Sequence, residues 1–242
     1  MNFADFGLGT WHPKGGMYQV IKGMKALAES LGVSINTNSN VEKINVTNSK
    51  TVGISVNGKE ISSDIVLSGA DYHHSETLLD KNYRQYSESY WDKRTFAPSS
   101  LLFYVNFPSV TDHSMAPNGC ETGFFLVPIA PGLEDTAELR QKYFDIITKR
   151  FEKRTNQNIT DHVLFKESFC VNDFISEYNS YKGNAYGMAN TLMQTAFLRP
   201  KLKSKKVKSL YFTGQLTVPG PGVPPSLISG KLVAELIDKN EI

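Results

Sequence analysis

Apolar residues recur at three- and four-residue steps through Met17, Val20, Ile21, Met24, Leu27, Ala28 and Leu31. That spacing predicts an amphipathic helix, and Gly32 supplies its C-terminal stop. The period then drops to two. Residues 33–37 and 41–46 alternate and predict strands, and 52–56 runs into Asn57-Gly58, a strong signal for a tight hairpin, with 59–61 leading back. Residues 64–68 read as a buried strand ending at Gly69-Ala70-Asp71. The first third therefore predicts helix, strand, hairpin and strand, a mixed α/β unit.

The middle has a different texture. Tyr83, Tyr86, Tyr90 and Trp91 mark an aromatic-rich stretch expected to be helical. Residues 100–105 and 123–128 read as strands of bulky apolar residues, and 163–169 as a further strand. Asp135 with Glu138 three residues on resembles a capping box, opening a helix whose apolar face is Leu139, Tyr143, Ile146, Ile147 and Phe151. This segment predicts a sheet with covering helices, a second domain. A strand at 210–212 and a helix after Pro224-Pro225-Ser226 resume the style of the first third. One domain split in sequence around an inserted one is the expectation.

Composition narrows the function classes modestly. The 242 residues can bury a sizeable core, and a net charge of +2 is too small to argue for nucleic acid. The basic run at 201–208 has no interleaved aromatic to stack a base, and reads as a solvated turn. Two cysteines, Cys120 and Cys170, without a CxxC or a signal peptide, predict a reducing, cytoplasmic setting. No apolar run is long enough to span a bilayer, while a peripheral membrane role needs only a patch.

The chemistry-bearing candidates are loops. Gly214, Gly220 and Gly222 sit between the last strand and the last helix, where glycine lets backbone approach a ligand and a helix start offers free N–H groups. A phosphate or the electron-rich edge of a reduced flavin suits such a place, and so does a merely rigid connection. Trp11-His12-Pro13-Lys14-Gly15-Gly16 carries the same pair of readings, and so does the polar and aromatic stretch 184–194. Adjacent His73 and His74 point in different directions and have no third ligand at a convincing spacing. No G-x-S-x-G occurs, and no carboxylate pair can be given acid and base roles.

Taken together, these segments resemble the bacterial phytoene desaturase family, carotenoid-desaturase-type FAD oxidoreductases. His12-Pro13-Lys14-Gly15-Gly16-Met17 looks like that family's H/Y-P-x-G-G-M before a helix. Val41 to Ile44, Gly53-Ile54, Asn57-Gly58 and 64–71 follow its sheet pattern, and Leu210 to Gly214 with Pro219 to Pro224 and Ser229-Gly230 match its closing flavin motif. Two departures stand out. The G-x-G-x-x-G that holds the FAD pyrophosphate has no counterpart, Gly7-Leu8-Gly9-Thr10 being a false echo, so the chain looks like the C-terminal part of a longer enzyme. The stretch between 101–104 and Phe107-Pro108-Ser109 is also shorter than in the family.

The resemblance implies a fold and a chemistry. The fold is α/β (α+β mixed), part of a two-dinucleotide-binding-domain flavoprotein, with 1–75 and 205–242 in the FAD-binding domain. Residues 76–204 form the inserted substrate domain, shortened near 104–107. The chemistry is FAD-dependent desaturation of a long isoprenoid hydrocarbon such as phytoene, with a quinone or oxygen as electron acceptor. The location is the inner face of the cytoplasmic membrane. Gly214, Gln215, Gly220, Gly222, Val223 and Pro224 match the flavin-contacting motif, and Val41 stands where strand backbone lies near the adenine. Trp11, His12, Gly15 and Gly16 match the segment near the flavin ring and the substrate entrance. The aromatic stretch 83–91 is the candidate lining of an apolar substrate tunnel. A carotene isomerase of the same family and a non-catalytic carotenoid- or lipid-binding module are the alternatives.

Overall fold

The computed structural model describes residues 7, 9, 11–92, 103–188, 194–195 and 198–241. It divides into two compact units, residues 1–38 with 100–128 and residues 39–99 with 129–242. The mixed α/β class expected from the pattern is what the structure has.

In the smaller unit the expected helix forms as α1 (Tyr18–Ser30). Gly32 closes it at φ +85°, with the Val33 N–H reaching back to the Ala28 carbonyl at 3.0 Å. Its apolar stripe, including Met17, Ile21, Leu27 and Leu31, is exposed. The strand expected at 33–37 does not form. Val33 and Ile35 are exposed and pair with no described strand, and alternation without a partner does not make a sheet. Tyr104–Asn106 (here β5) pairs antiparallel with Phe124–Leu126 (β6). Residues 100–102 of the strand expected at 100–105 lie outside the described residues.

The larger unit is built on a meander: β1 (Val41–Thr47), β2 (Lys50–Val56) and β3 (Lys59–Ser62), antiparallel in that order. Asn57 and Gly58 make the turn at φ +50° and +70°, as the Asn-Gly pair predicts. Gly53 lies so close to β3 that a Cβ there would sit 2.1 Å from the Ile61 carbonyl oxygen. The tip of the β1–β2 hairpin bonds far along the chain, Thr51 N–H to the Lys208 carbonyl and Lys208 N–H to that of Ser49.

Early and late segments meet again in a parallel pair, β4 (Val66–Ser68) with β7 (Leu210–Phe212). The fully buried β7 forms the floor of a core with Ile44, Tyr72, Leu79, Trp91, Met188, Val207 and Leu216. Tyr72, on the short helix α2 (Tyr72–Thr77), stacks on Phe212 at 4.0 Å. In and beside the aromatic stretch, Glu88–Asp92 is α-helical (α3) and Lys81–Tyr83 is a single 3-10 turn. Tyr86 and Tyr90 stack at 4.2 Å and both meet Trp91, so the stretch packs on itself and on Tyr72.

Two helices complete the described middle. α4 (Ala137–Thr155) is capped by Thr136, whose hydroxyl accepts the Leu139 N–H; Asp135, the expected cap, instead binds Arg140 in two bonds of 2.6 and 2.7 Å. Arg140 also meets Asp173 of α5 (Val171–Tyr178), and the Asn172 N–H donates to Asp135, tying the two helices together. The strand expected at 163–169 is not formed: its residues pair with no described strand and Leu164 and Phe165 stand exposed. The chain ends in α6 (Val223–Glu241), whose Ser229 and Val233 are buried. No described helix is long and apolar enough to cross a membrane.

Candidate functional site

β7 ends at Phe212 and α6 starts at Val223, so residues 213–222 must turn the chain within ten residues. Three glycines make this possible, with Gly214, Gly220 and Gly222 at φ +102°, +133° and +116°, values side chains rarely adopt. Interior contacts then hold the loop down. The Thr213 N–H continues the parallel ladder to the Ser68 carbonyl at 2.9 Å. Ser229 Oγ, on α6, accepts the Gly214 N–H at 3.1 Å and shares hydrogen bonds with the hydroxyls of Thr213 and Thr217. Thr217 in turn donates both its N–H and its hydroxyl to the Gly214 carbonyl.

The inner side of the loop is thus saturated and its donors lie elsewhere. The N–H groups of Gln215, Leu216, Val218, Gly220, Gly222 and Val223 make no hydrogen bond to any described residue. Such a row of unspent donors needs water or a ligand rich in acceptors. The start of α6 adds its partial positive charge. Yet Pro224 and Pro225 have no N–H, so this helix start offers far fewer donors than a phosphate site normally uses. A flat heteroaromatic edge carrying carbonyl and ring-nitrogen acceptors, as in an isoalloxazine, fits these donors better than a phosphate does.

Beside the loop runs a second segment. Gly187 approaches so closely that a Cβ there would stand 3.1 Å from Leu216 and 3.2 Å from the Gln215 carbonyl oxygen. Asp71 pins this segment to α2: it accepts the His74 N–H, the Tyr181 N–H and the Asn184 side-chain amide. The Asn184 side-chain carbonyl accepts the Gly187 N–H at 2.9 Å. The cleft between them, about 20 Å³, is lined by Trp91, Tyr181 and Leu216 among others and is too small for a long hydrocarbon. His73 pairs with Glu88 and lies against Tyr181, while His74 is partly buried, which lowers its imidazole pKa.

Of the residues expected from the sequence, Gly214, Gln215, Gly220, Gly222, Val223 and Pro224 come together in this loop. Val41 belongs to the same unit, as the first residue of β1 opposite Val56, with no hydrogen bond to the loop. Trp11, His12, Gly15 and Gly16 lie in the smaller unit. There Trp11 is exposed and Gly15 and Gly16 turn at φ +81° and +88°. The Gly15 N–H is already spent on the Asp112 carboxylate at 2.6 Å. His12 Nε2 is buried without a described partner. Part of the stretch 184–194, residues 189–193, lies outside the described residues.

Arg199 and Asp71, which support the site, carry no site signal in the sequence, and Asn184 is legible only as the first residue of the stretch 184–194. Their partners lie far along the chain, 16 residues away for Arg199 and 110 or more for Asp71 with Tyr181 and Asn184, and Leu198 and Pro200 beside Arg199 give no local hint. Ser229 is legible in the sequence through its match, with Gly230, to the closing flavin motif, while its role as a hydrogen-bond hub comes from the structure.

A profile of the family described as flavin containing amine oxidoreductase matches residues 1–103. The carotenoid 3,4-desaturase of Haloarcula japonica is 37% identical over an alignment of 279 residues, which covers 98% of this chain and 56% of that protein. The zeta-carotene-forming phytoene desaturase of Myxococcus xanthus is 29% identical, with 96% and 53% covered. The chain spans about half the length of the curated relatives it matches. Since the alignment of 279 residues exceeds the 242 of the chain, the Haloarcula protein carries residues there without a counterpart here. An oxidoreductase from Methanosarcina mazei has the same fold, with a TM-score of 0.56 and 16% identity over 92% of this chain and 55% of that one.

Proposed function

We propose that this chain, which is similar over 98% of its length to a carotenoid 3,4-desaturase, is part of a carotenoid desaturase family enzyme and contributes the ring side of an FAD site in an oxidoreductase that desaturates a carotenoid precursor. One observation carries this reading: the row of unspent N–H groups between Gln215 and Val223, on a loop whose interior bonds are complete. Bound there, FAD would supply the acceptor for the hydride equivalent removed from a saturated carbon pair, with a quinone or oxygen taking the electrons onward.

This chain's own residues do the rest. Gln215, Gly220, Gly222 and Val223 present backbone donors to the electron-rich edge of the ring, Gly214 makes the turn that brings them there, and Pro224 fixes the direction of the helix start. Val41 is assigned to the adenine side. Trp11, His12, Gly15 and Gly16 are assigned to the substrate entrance. No residue is assigned as a catalytic base. Residues 1–75 and 205–242 are read as parts of the FAD-binding domain, with 76–204 as a substrate domain shortened near 104–107. The parallel pairing of β4 with β7 supports the first assignment. Attachment to the inner face of the cytoplasmic membrane belongs to the same reading, since a long isoprenoid hydrocarbon dissolves in lipid.

The test is a titration of the purified chain with FAD and with lumiflavin, which lacks the pyrophosphate and adenosine. Weak binding of both, with similar affinity, is the expected result. No binding of either would remove the flavin assignment, and stoichiometric FAD retained through purification would overturn the ring-side-only site. With a C20–C20 precursor and quinone added to a competent holoenzyme, lengthened conjugation identifies desaturation. Altered geometry without lengthening would identify isomerisation instead.

A further inference from the structure

Arg199 is 2% exposed and lies directly behind the loop. Its Nη1 donates to the Gln215 carbonyl at 3.2 Å. Its guanidinium also packs flat against Gly220: a Cβ on that glycine would stand 3.2 Å from both Cζ and Nη2, and 3.5 Å from Nε. One planar group therefore touches both ends of the segment that holds most of the unspent donors. Gly220, at φ +133°, allows that approach because it has no side chain.

A trans peptide points its C=O and its N–H in opposite directions. With the Gln215 carbonyl drawn toward Arg199, the Leu216 N–H must point to the other side of that peptide. The Gly214 carbonyl and N–H are held by Thr217 and Ser229, so the peptide of Gln215 and Leu216 is the remaining one in this turn whose orientation needs an outside partner. The geometry points to Arg199 as the positioning residue that fixes this peptide and so aims the Leu216 N–H at the ligand. Lysine cannot duplicate the arrangement, because a point charge on a flexible stem has no flat face to lay on Gly220 while it donates to Gln215. The assignment rests on the flavin reading only for the identity of the ligand. The aiming itself is a property of the chain.

The test uses the 242-residue chain with Arg199→Met, which keeps bulk but loses charge and donor, and Arg199→Lys, which keeps charge and one donor. The readouts are the backbone carbonyl ¹³C shift of Gln215 and the hydrogen exchange of the bonded Gly214 and Thr217 amides. Arg199→Met should move the Gln215 carbonyl resonance and speed exchange at Gly214 and Thr217 by about tenfold, roughly one hydrogen bond's worth. Amides of β2 and β3 should stay protected, and Arg199→Lys should restore part of both signals. An unmoved Gln215 carbonyl with wild-type exchange overturns the assignment. If Arg199→Met unfolds the chain, the same two readouts on Arg199→Lys decide it, in the same directions. A wild-type chain that fails to bind flavin but passes this test would sink the flavin reading and leave the role of Arg199 standing.

Discussion

Ser229 Oγ receives the Gly214 N–H at 3.1 Å from a position with no solvent exposure, so the last helix holds the loop through a single buried oxygen. Ser229→Ala removes that acceptor and also leaves the hydroxyls of Thr213 and Thr217 without their shared partner. The expected cost is about 1–3 kcal/mol, the range for stranding buried polar groups. It should appear as a lower urea midpoint at an unchanged m-value. A midpoint within error of wild type would show that the hub contributes nothing.

Glu76 carries a second expectation, about pH. Burial pushes its carboxyl up to about 7, against the opposing pull of the Gln85 and Tyr86 N–H groups that it accepts and of Lys206 and Arg84 nearby. A carboxyl whose pKa is higher folded than unfolded binds its proton more tightly in the native state. Its contribution is therefore fully present below the ordinary value of 4.5 and fades as pH rises through about 7. Glu76→Gln keeps an acceptor oxygen and removes the titration. Between pH 5 and 7, stability of the variant relative to wild type should climb by up to about 1.4 kcal/mol per pH unit. Parallel stability curves for the two proteins would refute the assignment.

The parts of the fold that are legible in the sequence are those decided within a few residues. Asn57-Gly58 can make its turn unaided, Gly32 can stop a helix, and Pro224-Pro225 can start one. The glycines of the 213–222 loop are legible for the same reason, because positive φ is a local demand. Residues 33–37 and 163–169 look like strands equally well, yet a strand exists only when a partner lies alongside, and local alternation carries no information about partners. Trp91 and its tyrosines illustrate a related limit, since an aromatic stretch reads the same whether it lines a cavity or packs on Tyr72. Arg199 is invisible for a different reason. It joins the site through the Gln215 carbonyl, and a backbone atom leaves no mark on the residue letters.

In the smaller unit, Asp112 offers a local titration to follow. The Ser114 hydroxyl, then the N–H groups of Gly15 and Ser114, hold its carboxyl down at about 2. A depressed carboxyl contributes above its unfolded pKa and loses that contribution as pH falls toward the folded one. The Gly15 amide proton shift should accordingly stay constant down to about pH 3 and titrate with a midpoint near 2. Asp112→Ala should remove the titration and shift the Gly15 resonance at every pH. A wild-type midpoint at the ordinary aspartate value would mean that the Gly15–Asp112 bond does not persist in solution.

Gly53 and Gly58 allow two costs to be separated within one hairpin. Both have positive φ, +147° and +70°, so either substitution by alanine strains the backbone. Only at Gly53 is there also no room: the added Cβ would lie 2.1 Å from the Ile61 carbonyl oxygen and 2.8 Å from Ser62 Cα, whereas nothing lies within 4 Å at Gly58. Gly58→Ala should cost about 1 kcal/mol, the penalty for left-handed backbone alone. Gly53→Ala must in addition push β3 away from β2, which raises the expected loss to at least about 3 kcal/mol. Chemical denaturation of the two variants gives the comparison directly. Equal losses would mean that β3 yields freely, and that the register Gly53–Ser62 is not held by close packing.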